Sequence, residues 1–155
     1  MPRRSGAKAN GDDKMLYEKS CGAVVFRDST VADGENKRYV LMIKQSKASR
    51  FSFPKGHVES GESETDTAER EVLEETSVAI KITDSFRKTV SYSPRPGVKK
   101  QVVYFVAQTE NEDIKPQEGE ITEVRWVETS RAASMLGHAN DRRVFSMALD
   151  YLQNK

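Results

Sequence analysis

Residues 56–78 read GHVESGESETDTAEREVLEETSV. Glycines crowd the front of this stretch, Pro54 stands just ahead of it, and a carboxylate-rich run follows. Wound as a helix over 65–76 at about 100° per residue, the run sorts into two stripes. Ala68, Val72 and Thr76 line one, with Thr65 and Leu73 at its edges, while Glu64, Glu71, Glu74 and Glu75 share the other. Like charges three and four residues apart repel and cost helix stability. A divalent cation turns that repulsion into attraction, and Mg²⁺ favours carboxylate oxygens together with phosphate oxygens. The plain alternative, a solvated acidic face, would account for Glu71, Glu74 and Glu75 if they stood alone.

The flanks favour the ordered reading. Pro54 sets an extended entry. Gly56 permits close backbone approach, which brings its carbonyl within reach of a metal, and Gly61 turns the chain into the helix. Ser63 is placed as N-cap, with Asp66 three residues on where a capping-box acid belongs. Ser77 ends the helix. If its φ is positive it carries ~1 kcal/mol of strain, and it supplies no catalytic atom.

Length and composition set the outer bounds. A chain of 155 residues builds one domain with a real core. A net charge of +1 offers no general attraction to nucleic acid or to a membrane surface. A single cysteine, Cys21, rules out an intramolecular disulfide and fits a reducing compartment; in its apolar run it reads as a core residue. No run approaches a membrane span, and the N-terminus lacks the apolar core of a signal peptide, so a cytoplasmic protein is expected. Residues 1–17 read as a loose polar arm, whose Arg3, Arg4 and Lys8 could touch an anion, and 18–155 as the single domain.

Strands are expected at 20–27 and 38–44, joined as a hairpin through a polar loop with its turn at Asp33-Gly34, and again at 99–107 and 122–127. Strand-like alternation also marks 80–91, around Ile80, Ile82, Phe86 and Val90. Residues 45–50 form a basic loop, with Lys44, Lys47 and Arg50 along it. Residues 94–97 make a rigid turn and 110–119 an acidic loop. A short helix at 130–135 precedes an amphipathic one at 141–153, whose apolar face is Val144, Phe145, Ala148, Leu149 and Leu152. Strands interspersed with helices imply an α/β sheet covered on its faces.

One spacing pattern goes further. Gly56 is followed after five residues by Glu62, after seven more by Arg70-Glu71, then by Glu74-Glu75, with Val72 and Val78 apolar. This resembles the Nudix hydrolase signature G-x5-E-x7-R-E-U-x-E-E-x-G-U, in which U is a bulky apolar residue. Only Ser77 departs, standing where that family has glycine. The resemblance implies the Nudix fold, a mixed sheet sandwiched between helices, and divalent-metal-dependent hydrolysis of a phosphoanhydride. It implies Glu71 and Glu75 as the strongest metal ligands, joined by Glu74 and the Gly56 carbonyl, with Mg²⁺ as the ion and Mn²⁺ as a substitute. Arg70 would orient a neighbouring carboxylate in catalysis, with Glu62, Gly61 and Ser77 structural.

The segments CGAVVFR, FPKGHVESGE, KKQVVYFVA and EITEVRW are similar to the diadenosine tetraphosphate hydrolase branch of that family. That likeness implies asymmetric cleavage to ATP and AMP. It implies a further catalytic glutamate before the last strand's Trp126. Glu120 matches, and Glu118 and Glu123 remain rivals by spacing. Lys55, His57 and Lys100 would meet the substrate, and Tyr104 would stack on a base or else pack in the core. His138 reads as a surface residue. Three other readings stand beside this one. A diphosphoinositol polyphosphate phosphohydrolase would use Lys99, Lys100 and the basic loop. An RNA 5′ pyrophosphohydrolase would want a basic stripe, which is not evident. A non-catalytic nucleotide sensor is opposed by the intact carboxylates. The expected partner is a small nucleotide, with no membrane and no dedicated nucleic-acid surface.

Overall fold

The computed structural model describes residues 14–30 and 34–155. Arg3, Arg4 and Lys8, and most of the expected Asp33-Gly34 turn, fall outside the described residues, although Gly34 itself has a φ of 86°.

The sheet is built around β1 (Leu16–Thr30), an apolar strand that alternates between two buried faces. Its partners are β2 (Asn36–Gln45), β3 (Lys55–His57), β4 (Arg87–Tyr92), β5 (Val98–Gln108) and β6 (Ile121–Glu128). The order is β4-β5-β1-β2-β6. β1 runs parallel to β5 and antiparallel to β2, which takes its Phe26–Thr30 end, and to β3, which takes Ser20–Gly22. The sheet is therefore mixed. Gly22 is required at the β3 seam, because a Cβ there would fall 2.2 Å from the Pro54 carbonyl oxygen.

Side-chain parity decides the layers. Ala23, Val25 and Leu41 point to the face covered by α1 (Glu64–Thr76), where Val72 and Val78 complete the cluster. Val24, Phe26, Val40 and Met42 point to the other face, covered by α2 (Thr129–Met135) and α3 (Ala139–Gln153) through Ala132, Val144, Phe145 and Ala148. Helices thus cover both faces, the arrangement expected of this α/β sandwich.

Three expectations are corrected. β1 begins at Leu16, so Leu16 and Tyr17 belong to a strand and not to the arm. Of the 80–91 stretch only residues 87–91 pair as a strand, which runs on to Tyr92. Ile80 and Ile82 are held by the α1-face cluster, and the Ile82 amide donates to Glu69 Oε2 at 2.8 Å, so their apolar spacing reflects a loop tucked against α1. The polar loop after Arg27 is also shorter than expected, since Asp28 and Arg38 are paired strand residues joined by an ion pair at 2.8 Å.

The capping box of α1 forms in full. Ser63 Oγ accepts from the Asp66 amide at 3.1 Å, and Asp66 Oδ2 accepts from the Ser63 amide at 3.2 Å. The helix start is also tied sideways. Glu64 takes a two-pronged bond from Arg87 on β4, at 2.8 and 2.9 Å, and pairs with Lys19 on β1. These donors, Arg87 foremost, hold the Glu64 carboxyl down at about 2. A depressed carboxylate stabilises the fold above its unfolded pKa of about 4.3 and loses that contribution as pH falls toward 2. Acid-limb stability should therefore drop less steeply in Glu64→Gln, by on the order of 1 kcal/mol after solvent screening of this partly exposed pair. Urea midpoints near pH 5 and near pH 2.5 measure it, and an unchanged difference between them would remove Glu64 from the account.

Candidate active site

The site lies where α1 passes over β3. Arg70 organises it. Its guanidinium donates to Glu62 through Nε at 2.5 Å and Nη2 at 3.0 Å. It also reaches Glu71 Oε2 at 2.9 Å, Glu74 Oε1 at 3.1 Å and the His57 carbonyl at 3.0 Å. Glu62 in turn accepts from the Glu59 amide at 3.0 Å and Thr67 Oγ1 at 2.8 Å. These bonds, that of Arg70 first, hold Glu62 at about 2. The chain Glu62–Arg70–Glu71 therefore fastens the loop, the β3 backbone and one site carboxylate together.

Glu71 and Glu75 stand one helical turn apart and face inward. Glu75 is 4% exposed, and its Oε1 accepts from the Lys55 amide at 3.2 Å. Burial, with the Glu71 charge next, pushes the Glu75 carboxyl up to about 8. Burial also raises Glu71, against the pull of Arg70. Glu120 is the third charge, acting on both. Glu123 turns to Arg125 instead, and Glu118 lines a hollow with Ser77 and Lys115. Glu74 is nearly half exposed and bonded to Arg70, so it flanks Glu71 without joining the buried pair.

Gly56 has a role that the sequence does not display. A Cβ on it would lie 2.1 Å from Glu71 Cδ and 2.2 and 2.4 Å from its two oxygens. The bare α-carbon is the seat of that carboxylate. Crowded, buried, mutually repelling oxygens without nitrogen or sulfur are what a hard divalent cation requires. Among the described residues, no three Asp, Glu, His or Cys side chains form a ready-made cage. Mg²⁺ usually completes its shell with water and substrate phosphate, so the donor set fits it.

Two lysines accompany these carboxylates: Lys55, whose amide donates to Glu75, and Lys100 on β5. Lys100 is half-buried, and its pKa is lowered by that burial and then by the charge of Lys55. Two ammonium groups held near each other attract an anion between them. Tyr104 does not offer its ring to a base. It is 1% exposed, its ring meets Phe53 edge-on at 6.0 Å, and its hydroxyl donates to the buried Asp141 at 3.1 Å. Its face is closed to any base, so it is a packing residue. Tyr92, not singled out from sequence, is the available ring. It sits opposite Lys100 across the β4–β5 ladder and is 37% exposed. The His57 ring is exposed, while its backbone serves Arg70. His138 is the N-cap residue of α3, and its charge acts on Asp141.

A family model for the NUDIX domain matches residues 20–148. The chain belongs to the Nudix family. Its class is that of a Nudix phosphoanhydride hydrolase, a family that generally uses divalent metal ions. Among curated relatives, the asymmetrical bis(5′-nucleosyl)-tetraphosphatase of Sus scrofa is 29% identical over 76% of this chain and 83% of its own length. A protein named as mutator protein MutT4 from Mycobacterium tuberculosis (strain CDC 1551 / Oshkosh) is 29% identical over 97% of this chain, which spans 64% of that protein's length. Among solved structures, a binary complex of the C. elegans Ap4A hydrolase superposes with a TM-score of 0.77 at 26% identity, covering 89% of this Nudix chain and 99% of that one. Among the described residues, no helix is long and apolar enough to cross a membrane.

Proposed function

We propose that this Nudix hydrolase cleaves dinucleoside polyphosphates, with diadenosine tetraphosphate cut asymmetrically to ATP and AMP. The observation that carries this reading is the inward-facing Glu71–Glu75 pair under the charge of Glu120, with Lys55 bonded to Glu75 through its amide and acting on half-buried Lys100, and with an exposed tyrosine opposite Lys100. The names of the relatives support the same substrate class. Glu71 and Glu75 would hold Mg²⁺, or Mn²⁺ in its place, with Glu74 and the Gly56 carbonyl as further oxygens. When bound, the ion screens phosphate charge and lowers the pKa of a coordinated water.

The chain's own groups do the rest. Arg70 fixes Glu71, so its carboxylate does not swing on approach of the phosphates. Lys100 and Lys55 neutralise the bridge. Glu120 accepts the proton of the attacking water. The water oxygen bonds to phosphorus, the bond from that phosphorus to its bridging oxygen breaks, and the charge left on the departing phosphate falls within reach of the lysines. Product analysis in water labelled with heavy oxygen tests this. One label should enter one product, and ATP with AMP should be the sole pair; two ADP molecules would refute the asymmetric reading. A cytoplasmic setting agrees with the single buried free thiol of Cys21.

The substrate's base separates this reading from a diphosphoinositol one, for which the basic loop is well placed because the Ser46 amide donates to the Glu120 carbonyl at 2.9 Å. Stacking one base is worth ~1–3 kcal/mol. Tyr92→Ala should therefore raise KM for diadenosine tetraphosphate by roughly 5- to 150-fold and change kcat less, with Tyr92→Phe close to the parent. A baseless inositol pyrophosphate should show no such rise. Equal losses on both substrates would make Tyr92 a packing residue.

A further inference from the structure

The serine that departs from the family signature has a partner. Ser77 sits at the left-handed C-cap of α1 with φ 67°, and its amide donates to the Leu73 carbonyl at 2.9 Å. Its hydroxyl donates to the Lys115 carbonyl at 3.3 Å. The Lys115 amide meanwhile donates to the Thr76 carbonyl at 2.9 Å, so Lys115 is gripped at both its backbone poles. Two residues on, the Gln117 amide donates to the carbonyl of Glu75 itself at 3.2 Å. The Ile121 amide then closes a turn onto the Gln117 carbonyl at 3.1 Å, with Gly119 at φ 86° inside it. Glu120 rides on that turn, one residue before β6.

Residues 115–121 are thus a strap laid across the open end of the helix that carries the site carboxylates. The strap borders an open hollow of ≈ 590 Å³ lined by residues 115–119 with Ser77 and Ile121. At its far end the strap is held by the Ser46 amide, which donates to the Glu120 carbonyl at 2.9 Å, and at its near end by the bonds to the cap of α1. A glycine at 77 would keep the amide bonds and remove the side-chain donor that the helix cap gives to the strap.

We propose that Ser77 is a positioning residue: through Lys115 it clasps the strap to α1 and so sets the Glu120 carboxylate against Glu71 and Glu75. This rests on the proposed role of Glu120 in turnover, and it revises the view of Ser77 as only a strained cap. Strain favours glycine at φ 67°, whereas the clasp favours a side chain that tolerates this conformation and donates. Asparagine meets both demands, since it enters the left-handed region readily and carries an amide donor.

The test compares Ser77→Gly, Ser77→Asn and Glu120→Gln in the full chain with saturating Mg²⁺ and diadenosine tetraphosphate. Ser77→Gly should lower kcat three- to tenfold with KM unchanged, although its melting temperature holds or rises. Ser77→Asn should restore kcat to within twofold of the parent. Amide exchange at Lys115 and Gln117 should quicken in Ser77→Gly and not in the strands. Full kcat in Ser77→Gly, or unchanged exchange at those two amides, overturns the clasp. Full turnover in Glu120→Gln overturns instead the role given to Glu120, and the exchange measurement still decides the clasp in that event.

Discussion

Glu75→Gln is expected to cut turnover by a hundredfold or more while the protein stays folded. Glutamine keeps the shape of the side chain and still offers an oxygen to the Lys55 amide, so no buried donor is orphaned. The substitution also removes a carboxylate that burial holds up at about 8. Folding above pH 5 then no longer bears the cost of ionising it in a nearly closed site, and the melting temperature of Glu75→Gln without added metal should equal or exceed that of the parent. The loss falls on catalysis. A bound cation contributes several kcal/mol of transition-state charge stabilisation, and each 1.36 kcal/mol is tenfold in rate. Thermal melts give an independent readout, because a ligand that binds only the native state raises its stability by mass action. Added Mg²⁺ should raise the parent's melting temperature and leave that of Glu75→Gln nearly unmoved. Turnover within tenfold of the parent would end the assignment of Glu75.

Gly56→Ala is expected to be nearly as damaging to activity, for a steric reason. The added methyl would have to occupy space 2.1 to 2.4 Å from the three carboxyl atoms of Glu71. Those atoms are the end of a flexible side chain, so they yield and the backbone does not. The melting temperature should fall by a few degrees at most. Displaced from its seat, Glu71 also strains its 2.9 Å bond to Arg70, and misplacing a reacting group by about 1 Å can cost roughly a hundredfold. Circular dichroism with steady-state kinetics separates the two effects. A folded Gly56→Ala variant of ordinary activity would show that Glu71 functions from another position.

The parts of this site that could be read in the sequence are those whose geometry is local. The caps of α1, its acidic stripe and the positive φ at Ser77 all follow from residues within a turn or two of one another. The parts that could not be read depend on pairing between distant strands. Tyr104 shares its parity with Val102 and Val106, both core residues, and also with Lys100, which is only half-buried. Alternation alone could not tell where along β5 the cover of α3 gives way to solvent; the bond to Asp141 decides it for Tyr104. Tyr92 acquires its place only through the β4–β5 register that sets it against Lys100. β3 is too short for any period to show. The loop holding Ile80 and Ile82 shows the converse error, since a segment under a helix buries alternate residues much as a strand does.

The parallel seam between β1 and β5 has a kinetic meaning. Leu16 pairs with Val98 and Phe26 with Gln108, partners about 80 positions apart, and everything from β2 to β4 must be looped out before the seam closes. Contacts of such long range are formed slowly. α1 and the β1–β2 hairpin are short-range objects that can appear early. Lys100 meets Lys55, and Glu120 meets the α1 carboxylates, only when the seam and the β2–β6 ladder are complete. Regain of catalysis on refolding should therefore trail the return of helical signal, and the enzyme's own turnover becomes a clock for the last long-range step of its folding.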